Sequence, residues 1–146
     1  MKVRDIMTTD PVKVAPDTTC AEAATLMKQE DCGSLPVVRD GRLVGIITDR
    51  DIVIRCVAAG LDPKSATVAE AMSADPFTIA PDASVDEAEQ VMSERQVRRL
   101  PVVSDGQLEG IVVIAQLARR EKEKKTGETL KEISQPLSER GSHARG

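Results

Sequence analysis

Aromatic side chains are almost absent from this chain of 146 residues, which has one phenylalanine, Phe77, and neither tryptophan nor tyrosine. Proteins that bind single-stranded nucleic acid commonly stack bases on several aromatic rings, so this function is disfavoured. The core must be built from aliphatic side chains instead. The only histidine, His143, lies in a polar C-terminal segment, which excludes most acid–base and nucleophilic machinery that depends on histidine.

Excess positive charge, long apolar runs and paired cysteines are also missing. The net charge of −4 provides no field that attracts nucleic acid or an anionic membrane. The apolar runs are far shorter than the roughly 18 residues of a membrane helix, and the first residues lack the apolar core of a signal peptide, so we expect a cytoplasmic protein. Cys20, Cys32 and Cys56 form no CxxC or Cys–His motif, which predicts buried, reduced thiols rather than a zinc site or disulfides.

What the chain does contain is an internal repeat. The sequence from Val3 onward matches the sequence from Val68 onward without a gap. The identical pairs include Met7 and Met72, Asp10-Pro11 and Asp75-Pro76, Ala15-Pro16-Asp17 and Ala80-Pro81-Asp82, Leu35-Pro36-Val37-Val38 and Leu100-Pro101-Val102-Val103, and Asp40-Gly41 and Asp105-Gly106. A unit of about 60 residues buries too little surface alone, so we expect the two copies to share one core.

Each copy has the same order of predicted elements. A short N-terminal turn and an extended piece, "PVKVAP" or "PFTIAP", precede an amphipathic helix, which Thr19 caps in the first copy and Ser84 in the second. Asp-Gly between two apolar runs then predicts a β-hairpin. A second helix closes each copy, over about 49–59 and about 115–125.

The predicted fold class is α/β (α+β), with two βαββα-type repeats packed sheet to sheet around a pseudo-two-fold axis. We assign repeat 1 to residues 1–62 and repeat 2 to residues 63–125. Residues 126–146 form a tail, for which we expect a short helix over about 128–133 and then a mobile, polar end.

The combined pattern resembles the CBS domain, and the tandem copies resemble a CBS pair, or Bateman module. The residues that carry the resemblance are "DIM…DPVKVAPDTT…LPVV-DG-LVGIITDRDI" and "EAM…DPFTIAPDAS…RRLPVV-DG-LEGIV", within residues 1 to about 120. The resemblance implies a sensor without catalytic activity or a required cofactor. It implies an adenine nucleotide or related adenosyl ligand between the copies, a regulated partner in trans, and a two-fold homodimer with helices at its interface.

The family's nucleotide motif falls on residues 45–51, "GIITDRD". A strand that runs into a helix leaves unsatisfied amides, which suit phosphate. Thr48 can bond phosphate, Asp51 can accept from ribose hydroxyls, and Arg50 can pair with phosphate or with its neighbouring acids. The alternative is a capping box, in which Thr48 and Asp51 only satisfy the helix start.

The second copy supplies an internal comparison at the same position. There the stretch "GIVVIAQ" has Val113 and Gln116 in place of the hydroxyl and the carboxylate. A strand and a helix are still predicted, which favours a ligand role for Thr48 and Asp51. We therefore expect one competent site for each chain and a degenerate second site at Val113 and Gln116.

Two arginines, Arg98 and Arg99, precede the "LPVV" strand of the second copy. In related pairs, basic residues at this position point to the nucleotide phosphates from the opposite copy, and Arg95 is a possible third. The alternative is surface arginines paired with Glu94 or Asp105.

The base itself is expected to meet apolar residues of the first copy. By the resemblance, Lys13 borders the base, and Ile47, Pro36 and Val37 form an aliphatic wall. The alternative for these three apolar residues is ordinary core packing.

These features are compatible with three functions. The first is a regulatory module that senses AMP, ADP, ATP or another adenosyl compound, with no role in binding nucleic acid or membranes. The second is a structural adaptor for another protein, with a vestigial nucleotide site. The third is an enzyme that uses Asp49 and Asp51, which is disfavoured because residues two apart diverge by about 200° around a helix. The exact ligand, the partner and the dimer orientation stay open.

Overall fold

The computed structural model describes residues 1–119 and 122. The strands are β1 Thr8–Thr9, β2 Ser34–Arg39, β3 Arg42–Thr48, β4 Ser73–Ala74, β5 Arg99–Ser104 and β6 Gln107–Val113. The helices are a 3-10 turn Val3–Asp5, α1 Cys20–Glu30, α2 Asp49–Asp51 continued by a π-helix Ile52–Val57, α3 Val68–Ala71, α4 Val85–Arg95, and α5 from residue 114. The tail and its expected helix lie outside the described residues.

The first helix of each repeat begins at the predicted cap. The Thr19 hydroxyl accepts from the Glu22 amide at 3.1 Å, and the Glu22 carboxylate accepts from the Thr19 amide at 3.0 Å. Ser84 accepts from the Glu87 amide at 3.0 Å. These bonds satisfy amides that have no partner within the helix. The apolar faces of both helices pack inward. On α1 the buried residues are Cys20, Ala23 and Met27, whereas the apolar residue Ala24 is exposed.

The two Asp-Gly pairs form the predicted hairpin turns. Asp40 and Gly41 have φ of 53° and 81°, and Asp105 and Gly106 have φ of 52° and 80°. Positive φ at both central residues is the geometry that continues the natural twist of antiparallel strands. Strand β2 therefore pairs with β3, and β5 pairs with β6.

The N-terminal segments of the two repeats are exchanged. Strand β1 of the first repeat pairs with β6 of the second, and β4 of the second pairs with β3 of the first. The exchange includes the core, because fully buried Val3 packs in the second cluster and fully buried Val68 in the first. Each repeat is thus completed by a strand from the other.

The extended pieces predicted from "PVKVAP" and "PFTIAP" make only single bridges. Val14 bridges Val37 of β2, and Ile79 bridges Val102 of β5, both in parallel orientation. The paired strands β1 and β4 lie upstream of the predicted position. Short strands of this kind have no alternation from which sequence alone can place them.

The two hairpins meet directly at one position, Arg42 opposite Gln107. Beyond that point β4 and β1 lie between them, so the hairpins separate toward the ends that carry residues 48 and 113. This separation leaves a cleft between the repeats.

The second helix of the first repeat is less regular than expected. After the turn Asp49–Asp51, the chain continues as a π-helix, with the Ala58 amide bonded to the Val53 carbonyl at 2.8 Å. The corresponding helix of the second repeat begins at residue 114, one residue before its predicted start, and its described part reaches 119.

The core is aliphatic, as predicted, but the expectation of one shared core is wrong, because the buried residues divide into one cluster for each repeat. Cys20 and Cys56 are fully buried free thiols in the first cluster, whereas Cys32 is partly exposed. Burial, followed by the neighbouring Cys56 thiol, raises the pKa of Cys20 to about 11.

Candidate ligand-binding cleft

A cleft of about 520 Å³ lies between the two repeats. Its volume falls within the range of sites that hold small molecules. Two segments cross it: residues 10–12 pass from β6 to β2, and residues 75–77 pass from β3 to β5. Asp10 and Asp75, with φ of 53° and 55°, turn the chain into these crossings.

The walls of the cleft are apolar and related by the repeat. Pro36 and Ile46 lie opposite each other in the β2–β3 ladder, and Pro101 and Ile111 do so in the β5–β6 ladder. All four residues line the cleft. Such walls suit the faces of a planar or aliphatic ligand.

Of the three residues predicted to form the aliphatic wall, Pro36 lines the cleft, but Ile47 and Val37 do not. Both are fully buried in the first core cluster. Successive residues of a strand point to opposite faces, so Ile46 faces the cleft and Ile47 faces the helices. The prediction that Ile47 and Val37 form part of the wall is therefore wrong, and both residues pack in the core instead.

Arg99 brings a polar atom into this apolar region. It lines the cleft, and its Nε is the one buried side-chain polar atom without a hydrogen-bond partner in the described part of the chain. An unpaired buried N–H is costly, and a guanidinium N–H bonds anions strongly. The corresponding residue of the first repeat, Ser34, also lines the cleft.

Thr48 and Asp51 form the capping box. The Asp51 amide donates to the Thr48 hydroxyl, and the Thr48 amide donates to the Asp51 carboxylate, both at 3.0 Å. Neither residue lines the cleft, but Ser34, the partner of Thr48 in the β2–β3 ladder, does. The capping box does not use the Thr48 hydroxyl hydrogen or the second Asp51 oxygen. Both residues therefore cap the helix, and their binding of a ligand stays a prediction.

Gln116 has a larger structural role than the repeat comparison implied. Its carbonyl oxygen accepts from the Val113 amide at 2.9 Å, as Asp51 does for Thr48. Its amide nitrogen donates to the Thr8 hydroxyl at 2.8 Å. The second repeat therefore keeps half of the capping box, and the inference that its helix starts without one is wrong. Val113 lines the cleft.

The remaining predicted residues are scattered. Lys13 is exposed, borders two other grooves beside Gly41 and does not line the cleft. Arg50 is exposed on the first turn of α2. Arg98 is exposed, and its carbonyl accepts from the Ile114 amide at 2.8 Å. Asp49 bonds the Arg50 amide, so it and Asp51 engage different amides and form no carboxylate pair.

Sequence reasoning missed most of the residues that line the cleft, among them Glu30, Cys32 and Phe77. A signal existed for Phe77, because the only aromatic residue falls in a loop instead of the core. Glu30 and Cys32 sit where α1 turns into β2, and nothing in their local sequence marks them.

Comparison with known proteins settles the family. The CBS domain model matches residues 3–57 and 68–123. The chain belongs to the CBS domain family. It is 45% identical over 116 residues to the CBS domain-containing protein YhcV of Bacillus subtilis, covering 80% of this chain and 82% of YhcV. It is 42% identical over 136 residues to hypoxic response protein 1 of Mycobacterium tuberculosis, covering 92% and 95%.

Solved structures of the family share this fold. Hypoxic response protein I, solved with two coordinated zinc ions, has a TM-score of 0.75 at 44% identity, covering 82% of this chain and 98% of that one. CBSX2 in complex with AMP has a TM-score of 0.76 at 27% identity, covering 85% and 98%. The CBS pair of MJ0100, with 5'-methylthioadenosine and S-adenosylmethionine, has a TM-score of 0.73 at 30% identity, again covering 85% and 98%.

Among residues 1–119 and 122, no group of three or more His, Cys, Asp or Glu side chains is placed to hold a metal ion. Within the same residues, no helix combines the length and the apolarity that crossing a membrane demands.

Proposed function

We propose that this CBS pair is a regulatory module that binds AMP, ADP, ATP or a related adenosyl compound in the cleft and modulates a partner protein in trans. The observation that carries the proposal is the buried Arg99 Nε, which has no protein partner and lies at the wall of an apolar cleft. An anionic ligand with an apolar, planar part satisfies both features.

We expect the apolar walls and Arg99 to bind different parts of the ligand. Pro36, Ile46, Pro101 and Ile111 contact the base, and Arg99 donates to a phosphate. A hydrogen bond to a charged group contributes about 1.5–3 kcal/mol, so Arg99 is expected to account for a large part of the affinity. CBSX2 in complex with AMP and MJ0100 in complex with adenosyl compounds support this ligand class.

Thr48 and Asp51 complete the proposed site from the first repeat. The capping box holds the two side chains together, and Thr48 lies opposite Ser34 in the β2–β3 ladder. Thr48 then donates its hydroxyl hydrogen to a phosphate, and Asp51 accepts from ribose hydroxyls with its second oxygen. Arg50 and Arg98 add positive charge near the strand ends. Because the polar atoms of Gln116 are already bonded, we expect one ligand for each chain.

Ligand binding is tested by calorimetry and thermal melting with AMP, ADP, ATP and S-adenosylmethionine. A ligand at a hundred times its Kd adds about 2.7 kcal/mol of stability, which raises Tm by several degrees. Arg99→Ser, which copies the first repeat, should weaken binding about 10- to 100-fold. Arg39→Ser is the matched control, since Arg39 is exposed on β2 and does not line the cleft.

Asp51→Asn separates the two roles of Asp51. The asparagine oxygen can still accept from the Thr48 amide, so the helix cap is kept while the charge is lost. Lower affinity with an unchanged Tm of the free protein supports the ribose contact. If no adenosyl compound binds, or if Arg99→Ser binds as tightly as the wild type, the proposed site is wrong.

The proposed module is a cytoplasmic homodimer. Val53, Ile54 and Val57 of the π-helix, together with Leu61 shortly after it, are between 41% and 57% exposed. A contiguous apolar face of this kind marks an interaction surface, and a symmetric contact with a second copy covers it. Three free thiols fit a reducing compartment.

The same face favours one alternative, a protein-interaction adaptor with a vestigial nucleotide site. The nucleotide-binding module and the adaptor are distinguished by the calorimetry described above and by affinity purification. An adaptor binds none of the adenosyl compounds and retains a stable protein partner that Val57→Glu releases.

A further inference from the structure

Phe77 is the only aromatic residue of the chain, yet it is not part of the core. It is 48% exposed and lines the cleft where residues 75–77 cross it. Large aromatic side chains are usually well buried, so an exposed ring beside a concave surface calls for an explanation. The corresponding residue of the first repeat, Val12, also lines the cleft but offers no flat surface.

The Phe77 ring is held by a cation. The guanidinium of Arg95, at the end of α4, lies 4.3 Å from the ring centroid. This distance is well within the range of a cation–π interaction, which restrains the ring. In the first repeat the position of Arg95 is taken by Glu30, so the ring and the cation occur together in the second repeat only.

The position of Phe77 relates it to Arg99. Ile79 bridges Val102 in parallel, and its amide donates to the Pro101 carbonyl at 3.0 Å. Phe77 precedes Ile79 by two residues. In this parallel arrangement it therefore lies beside the start of β5, which is at Arg99. One half of the cleft thus combines an aromatic face with the unpaired Arg99 Nε.

We infer that Phe77 is a stacking platform for the ligand's base and that Arg95 positions its ring. This inference rests on the proposed function and adds to it how the base is recognised. A purine stacks on the ring from inside the cleft while its phosphate bonds Arg99. Stacking of a base on an aromatic side chain changes affinity between about fivefold and a hundredfold. Purines, with their larger faces, are favoured over pyrimidines.

The test compares the wild type with Phe77→Val, which copies Val12 of the first repeat. Calorimetry gives the Kd of AMP, CMP and ribose 5-phosphate for both proteins. We expect Phe77→Val to weaken AMP binding five- to a hundredfold and to reduce the preference for AMP over CMP. Ribose 5-phosphate has no base, so the substitution should leave its affinity unchanged. Because Phe77 is half exposed, the variant is expected to fold, and its Tm checks this.

A second measurement reports on the ring in the intact protein. Incorporation of 4-fluorophenylalanine gives a single fluorine resonance, because the chain has one phenylalanine. Saturating AMP should move this resonance by ring-current shielding, and saturating ribose 5-phosphate should not.

The outcomes separate this inference from the proposed function. If AMP binds the wild type and Phe77→Val within a factor of two, the platform is wrong and the cleft proposal stands. Equal losses for AMP and ribose 5-phosphate also refute stacking. If the wild type binds no adenosyl compound, the proposed function fails, and the platform fails with it.

Discussion

Single side chains at helix starts carry much of the local structure. Thr48 and Asp51 exchange two bonds with each other's amides, whereas Gln116 alone bonds Val113 and Thr8. The two repeats thus solve the same problem of unsatisfied amides with different residues. A polar residue at a helix start is therefore weak evidence for ligand binding. A variant that removes the charge but keeps the cap is needed to separate helix capping from ligand binding.

The buried thiol of Cys20 predicts a loss of stability at high pH. Its pKa is raised from 9.0 to about 11 by burial and by the Cys56 thiol. The unfolded thiol therefore ionises first, and the stabilisation is complete below about pH 9 and lost as pH rises toward 11. The free energy of unfolding should fall by roughly 2–3 kcal/mol from this group.

Urea unfolding at pH 8 to 11 measures this effect as the difference between the wild type and Cys20→Ala. Cys32→Ala is the control, because Cys32 is partly exposed and should keep the wild-type pH dependence. Parallel curves for the wild type and Cys20→Ala would contradict the prediction.

At the scale of elements, the exchanged strands depend on two glycines. Gly45 of β3 lies opposite Ala74, and Gly110 of β6 lies opposite Thr9. An added Cβ on Gly45 meets the Ser73 carbonyl oxygen at 2.8 Å, and one on Gly110 meets the Thr8 carbonyl oxygen at 2.6 Å. The absence of a side chain is what lets each exchanged strand reach its partner.

Gly45→Ala is therefore expected to loosen β4 from β3. The nearest atoms include a backbone oxygen, which cannot move without weakening the ladder. Overpacking of this kind typically costs about 1–3 kcal/mol, measurable by chemical denaturation. Hydrogen exchange should quicken at β4 more than at β5. Gly110→Ala is the matched variant and should affect β1 in the same way. Unchanged stability in both variants would show that the strands have room to shift.

At the scale of the whole molecule, two nearly equivalent halves enclose a cleft with unequal chemistry. The apolar walls repeat, as Pro36 and Pro101 show. The polar and aromatic groups do not repeat, because Arg99 and Phe77 replace Ser34 and Val12. A symmetric scaffold therefore presents a cleft with an asymmetric lining, and the exchange of strands makes both repeats necessary for it.

Dimerisation through the exposed helix is tested with Val57→Glu. Val57 is 57% exposed beside Val53 and Ile54, and burying an unpaired carboxylate there costs roughly 3 kcal/mol or more. Sedimentation equilibrium should show a dimer for the wild type and at least a hundredfold weaker association for the variant. Ala24→Glu adds the same charge to the exposed face of α1 and should remain dimeric. A monomeric wild type, or a dimeric Val57→Glu, would overturn the proposed interface.

The sequence predicted the elements well where local physics decides. The Asp-Gly turns, the caps at Thr19 and Ser84 and the aliphatic core follow from backbone conformation, side-chain bonding and composition. It misplaced Ile47 and Val37, because two successive apolar residues of a strand give no indication of which one faces the cleft. It also missed Phe77, whose neighbours come from distant parts of the chain.

By itself the sequence determined the two repeats, their order of helices and strands and their membership of the family, since these depend on periodicity, turn residues and internal identity. Only the tertiary structure decided that β1 and β4 are exchanged, that Ile46 rather than Ile47 lines the cleft, and that Phe77 and Arg99 share one half of it. These facts depend on contacts between residues far apart in the chain, where packing and pairing fix positions that no local pattern records.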